Sequence, residues 1–196
     1  MARYGYIAPT AGPRSERRPA PGMEDKFDMA VATQPGVAGT GWAIRHGLIG
    51  GAIAGIIFAL AEMVGSVLMG MPFLAPFQAF ASLALGIPPM DIQMGTAIPV
   101  GTIAHMLLSI IYGVAFAFAV QKIALLRTSL PATIIAATLF GIALWFVNFN
   151  ILAVPIGRPW FAEAPPIPQF IYHAIFFGPP LGLYIASRLP FSARSD

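Results

Sequence analysis

Polar and proline-rich over residues 1–44, the chain then turns apolar in four blocks, at about residues 46–70, 98–120, 130–154 and 169–186. A helix needs about 20 mostly apolar residues to cross a bilayer. These blocks are near or above that length, and none shows the strict alternation of a membrane barrel strand. The pattern predicts an all-α membrane protein with four transmembrane helices in a domain over residues 45–188, flanked by tails at 1–44 and 189–196.

The segments between the blocks refine this picture. MPFLAPFQAFASLALGIPPM is interrupted by Pro72, Pro76, Pro88 and Pro89. Its apolar middle, 77–85, is too short to span and predicts a short helix at the interface. A second proline-rich excursion, PIGRPWFAEAPPIP, follows the third block, with Trp160 and Phe161 as expected interface anchors. In the fourth block Gly178, Pro179 and Pro180 predict a kink. If both termini lie on one side, that side collects Arg3, Arg14, Arg17, Arg18, Lys26, Arg45, Lys122, Arg127, Arg188 and Arg194, and the other only Arg158. Such a bias predicts cytoplasmic termini and interfacial segments on the outer side.

Composition agrees with the pattern and narrows the chemistry. The 196 residues are 57% hydrophobic and 10% charged, with a mean hydropathy of +0.76, which excludes an ordinary soluble domain. There is no cysteine, which removes disulfides, thiolate metal sites, iron–sulfur clusters and covalently attached haem. A net charge of +3 reflects topology and is no nucleic-acid signature. The 1–44 segment cannot build a core and lacks the compact apolar stretch of a signal peptide, so it reads as a disordered cytoplasmic tail.

The helices fall into two similar pairs. In the first block Gly55 precedes Glu62 by seven residues, and Gly70 and Pro72 close the helix; in the third, Gly141 precedes Asn148 by seven, and Gly157 and Pro159 close it. Each pair goes on through an outer excursion to a helix with one histidine, His105 or His173. Two helices per unit preserve orientation, so the expected relation is a parallel repeat about the membrane normal.

This arrangement puts Glu62, His105, Asn148 and His173 at a similar depth, about one third of the way in from the outer face. A carboxylate inside a spanning helix should face protein or a water-filled cavity. On its own helix Glu62 shares a stripe with Gly51, Gly55, Ala59 and Ser66, small residues that admit a close neighbour; Gly101, His105, Ser109, Tyr112 and Gly113 share a face of the next, and Gln169 lies one turn before His173. Four chemistries fit this layer. His105 and His173 can ligate a b-type haem from two helices. The two histidines with Glu62 suit zinc, copper or iron by ligand type. Glu62 and a histidine can exchange protons in a relay or bind a quinone. Or Glu62 hydrogen-bonds His105 or Asn148 and locks helix register with no further chemistry. His46, between Trp42 and Arg45 and the first block, reads as structural, and Phe116 and Phe118 read as facing lipid or a partner. No P-loop, GxSxG, HExxH or dinucleotide fingerprint is present in a workable context, so an enzyme is not expected.

A Gly-rich first helix, a short proline-bounded amphipathic segment, and a second helix with an internal His followed by Gly resemble small four-helix bacterial membrane proteins of uncharacterised activity, over about residues 45–188. The resemblance implies the fold and no activity. The leading functional expectation is a non-catalytic subunit of a larger inner-membrane assembly, respiratory or photosynthetic, contacting membrane lipids and other integral-membrane subunits. The alternatives are a haem b or quinone protein using His105 and His173, and a small oligomeric transporter or channel with Glu62 in its path.

Overall fold

The computed structural model describes residues 39–189, all of whose regular elements are helical. The expectations for residues 1–38 and 190–196 lie outside the described residues. Helix α1 is Thr40–Leu68, α2 Ala75–Leu85, α3 Met94–Lys122 and α4 the single turn Ala124–Thr128. Helix α5, Leu130–Trp145, continues as a π-helical stretch, Phe146–Leu152; α6, Pro166–Ile171, continues through a second π stretch, Tyr172–Phe177, into α7, Gly178–Ala186.

Three helices are long and apolar enough to cross a membrane: Thr40–Leu68, Met94–Lys122 and Leu130–Leu152. At 29 residues each, α1 begins six residues before its expected start and ends two before its expected end, and α3 overruns both of its expected ends. Hydropathy marks the part of a helix suited to lipid, whereas helix ends follow from breakers. None stands between Gly39 and the left-handed Gly70 (φ 75°), so α1 keeps Trp42 and Arg45 within the helix.

In the 166–186 run the prolines leave their mark as a change of helix type. Pro179 and Pro180 have no N–H to offer the carbonyls one turn earlier. The last donor before them, Gly178, bonds the His173 carbonyl five residues back, so the run widens into a π turn and then resumes as α7.

Packing follows small residues. Gly47, Gly51 and Gly55 on α1 lie against Gly113 and Ser109 on α3 so closely that Gly51 touches the Ser109 carbonyl region with no room for a methyl group. The second pair repeats the device, with Gly178 and Gly182 against Ala137 and Thr133, and Gly141 against the His173 carbonyl. Between lipid-exposed helices apolar surface supplies no net drive, and close van der Waals contact of this kind does. Helix α1 also packs on the 166–186 run, whereas α3 and α5 touch only sparsely. Phe116 and Phe140 bridge these two helices at a ring separation of 5.5 Å. Phe116 is 2% exposed, so it faces neither lipid nor a partner as expected, while the half-buried Phe118 packs against the same core; two glycine-lined contacts leave the α3–α5 gap for aromatic rings to fill.

Candidate functional site

Towards the Gly70 end the gap between α3 and α5 opens into a cavity of about 530 Å³. Glu62, His105, Asn148 and His173 all line it, so one chamber gathers the four residues of the polar layer. Its other walls are largely apolar and aromatic, with Phe58, Phe80, Phe149 and Trp160 among them.

Each polar group is held by a definite partner. Gln169 Nε2 donates to Glu62 Oε1 at 3.0 Å. Glu62 is only 7% exposed, and this amide takes the place expected for His105 or Asn148. Gln169 wins because α1 packs on the 166–186 run, which carries it one turn before His173. His105 Nε2 donates instead to the Gly55 carbonyl at 2.9 Å, reaching a backbone that only glycine leaves uncovered. Tyr112 donates its hydroxyl to Asn148 Oδ1 at 3.2 Å, closing the α3–α5 gap beneath the chamber. His173 Nδ1 donates to the Gln169 carbonyl at 2.8 Å, a carbonyl that also receives the Tyr172 N–H.

Aromatic rings fix the two imidazoles. His105 stacks on Phe80 at 4.2 Å and on Phe58 at 5.5 Å, while Phe58 meets His173 edge-on at 4.8 Å and Phe149 does so at 5.5 Å. This arrangement does not suit a bis-histidine haem. The Nε2 of His105 is committed to a backbone carbonyl, its faces carry phenyl rings, and Phe58 occupies space against both imidazoles where a porphyrin would have to lie. The metal alternative fares no better: among the described residues no three His, Asp or Glu side chains group closely enough to hold an ion.

The two excursions are latched together over the chamber. Trp160 Nε1 donates to Ser82 Oγ at 2.9 Å, and the hydroxyl of Ser82, fully buried on α2, donates in turn to the Ala79 carbonyl at 2.7 Å. Arg158 Nε donates to the Leu83 carbonyl at 3.0 Å, and its guanidinium lies over Gly86, the left-handed residue (φ 74°) that ends α2. A cation at a helix C-terminus satisfies free carbonyls and meets the negative end of the dipole. Trp160 and Phe161 line the cavity, with Trp160 bonded to α2. Asn150 is exposed, apart from this site.

Beside the chamber runs a second, apolar groove of about 610 Å³ between α1 and the 166–186 run, floored by Ile57, Leu60, Val64 and Phe176. Met69, Pro168 and Tyr172 belong to the walls of both spaces. The Tyr172 hydroxyl rests directly on Gly65, which no side chain could occupy without displacing it. Tyr172 is thus a partition between the polar-lined chamber and the outer apolar surface of the helix bundle. Neither Gln169 nor Tyr172 stands out from the sequence as a site residue; the spacing of Gln169 to His173 is the one signal for the first, and an apolar helix face hides the second.

No protein-family model, curated protein or solved structure matches this chain. The cavity and its donors and acceptors are the ground on which a function can be read.

Proposed function

We propose that the protein binds a lipophilic small molecule of the quinone class within a four-span bundle of the bacterial inner membrane. The observation that carries this reading is the shared wall at Tyr172: a mostly apolar chamber with a few polar groups on one side, and an apolar groove along the helix surface on the other. Ligand sites commonly combine apolar walls with a small number of placed polar groups. A chamber of about 530 Å³ accommodates a substituted aromatic ring, and the groove behind Tyr172 takes a hydrocarbon tail when that side chain turns aside. Aromatic faces at Phe58, Phe80 and Phe149 suit ring stacking.

In this reading the 166–186 run is the fourth span, the termini are cytoplasmic, and the two helix pairs are related by a parallel repeat with the latch on the outer side. The charge distribution of the sequence supports the orientation, with Arg158 the single cation at the latched end.

The test is to extract the protein from its native membranes in a mild detergent, purify it, and analyse the organic extract by mass spectrometry. Quinone retained near one molecule per chain is the expected result. Protein that carries none, and takes up none from added short-tailed quinone or quinol, overturns the reading. The same extract on a native gel tests the association with a respiratory or photosynthetic assembly that the sequence suggests, since a subunit migrates with its partners.

A further inference from the structure

The contact between Glu62 and Gln169 balances only in one state of the carboxyl. Gln169 Nε2 donates to Glu62 Oε1 at 3.0 Å, while Gln169 Oε1, covered by protein, meets no donor among the described residues as long as Glu62 is an anion. A buried acceptor without a donor is costly, and so is a buried carboxylate without a cation. Glu62 is 7% exposed, and no lysine, arginine or second carboxyl lines the chamber with it. The titratable groups that do are His105 and Tyr112 from α3 and Tyr172 and His173 from the 166–186 run; α2 and α5 bring none. Each imidazole spends an N–H on a backbone carbonyl, of Gly55 or Gln169, and neither bonds Glu62.

One proton removes both costs. On Oε2 of Glu62 it reaches Gln169 Oε1 when acid and amide lie side by side, since each then presents one donor and one acceptor to the other. Turning the amide over leads to the same state. The 3.0 Å contact is then oxygen to oxygen, and only a proton on Glu62 can bridge it. We propose that Glu62 is a proton-binding site that holds its proton at neutral pH in a closed acid–amide pair with Gln169, and is the carboxyl at which a hydrophobic carbodiimide modifies this protein. This state of the carboxyl requires no ligand, so it holds whether or not a quinone binds.

Carbodiimides react with the acid form. The acid O–H adds across one C=N bond, oxygen to the central carbon and proton to nitrogen. The acyl group then passes from that oxygen to the second nitrogen, breaking its C–O bond and forming an N-acylurea. Nothing leaves, so the labelled peptide gains the mass of the whole reagent. The apolar chamber of about 530 Å³, which Glu62 lines, admits such a reagent.

The experiment treats the full chain in mild-detergent micelles at about pH 7 with dicyclohexylcarbodiimide and maps the label by mass spectrometry of peptides. An exposed carboxyl such as Glu163 is in the acid form in about one molecule in 500 at that pH. Labelling at Glu62 at least roughly tenfold above that at Glu163 or Asp91 is expected. Equal labelling of the three, or none at Glu62, overturns the proposal. Infrared absorption reads the proton directly. Glu62→Gln is expected to remove the carbonyl band of a protonated acid, and Gln169→Leu to move that band to higher frequency as a hydrogen bond is lost. Loss of a carboxylate band in Glu62→Gln overturns the proton, and a band unmoved in folded Gln169→Leu protein overturns the pairing. If neither variant folds, labelling of the wild-type chain decides. Protein that carries the label and yet no quinone would sink the ligand reading alone.

Discussion

The glycines of α1 allow a graded test of what holds the bundle together. Replacing glycine by alanine inside a helix gains about 0.5–1 kcal/mol from propensity alone, while forcing a methyl into a filled site typically costs about 1–3 kcal/mol. At Gly51 a Cβ would stand 2.9 Å from Ile110 Cα and press on the Ser109 carbonyl. These are backbone atoms that cannot rotate away, so α1 and α3 must part by roughly half an ångström, and the net loss should be about 1–2 kcal/mol. At Gly50 the nearest atoms are Tyr184 Cδ1 at 2.8 Å and Leu181 Cδ1 at 3.1 Å, ends of side chains that can turn, and the change should lie within about 0.5 kcal/mol of neutral. At Gly41 no described atom lies within 4 Å of the added methyl, so alanine should gain a few tenths of a kcal/mol at most. The pair Gly51→Ala with Gly113→Ala should cost less than the sum of its members, because a Cβ added at Gly113 would stand 2.7 Å from Gly51 N and one separation of the helices relieves both. Denaturation midpoints followed by circular dichroism during titration of sodium dodecyl sulfate into mild-detergent micelles give the ranking. Gly51→Ala as stable as Gly41→Ala would refute the view that the α1–α3 contact is limiting for this fold.

Two further expectations concern the latch and the topology. Trp160→Phe removes the hydrogen bond to Ser82 Oγ while keeping an aromatic ring, and leaves a buried hydroxyl without its donor; a loss of about 1 kcal/mol in stability and faster ligand release in stopped-flow measurements are expected, and unaltered release would separate the latch from the chamber. The chain contains no cysteine, so single cysteines report sidedness cleanly. Glu163→Cys should react with an impermeant maleimide from the outer side of intact cells and Lys122→Cys only after permeabilisation, and the reverse result would invert the bundle.

Much of this fold was legible because its determinants are local or periodic. Apolar runs and breakers locate α1, α3 and α5, and of the stripe Gly51, Gly55, Ala59, Glu62 and Ser66 all but the half-buried Ala59 are buried. The convergence of Glu62, His105, Asn148 and His173 on one chamber follows from depth counted along each helix. What depth does not supply is azimuth. Whether Glu62 meets His105, Asn148 or Gln169 depends on which helices are neighbours, and that is set by glycine contacts between pairs, which no single helix records. Phe116 was misplaced for the same reason: a phenylalanine on an apolar helix fits lipid or protein equally well until the neighbour is known.

The π turns explain why the chamber lies where it does. Both lie on the second helix pair, one over Asn148 and one over His173, and each widens its helix at the depth where α1 and α3 carry Glu62 and His105. In a regular α-helix the His173 carbonyl would be tied to residue 177; in the π turn it is bonded by Gly178 and rests on Gly141. The close contact at Gly141 thus draws the backbone of the 166–186 run towards α5. A run held to α5 through its backbone keeps its side chains for the other side, and there Gln169 reaches Glu62 and Phe58 meets the His173 ring. Prolines placed six and seven residues past a histidine have in this way set the register of a polar site, and the widened turn falls beside the groups that line the chamber.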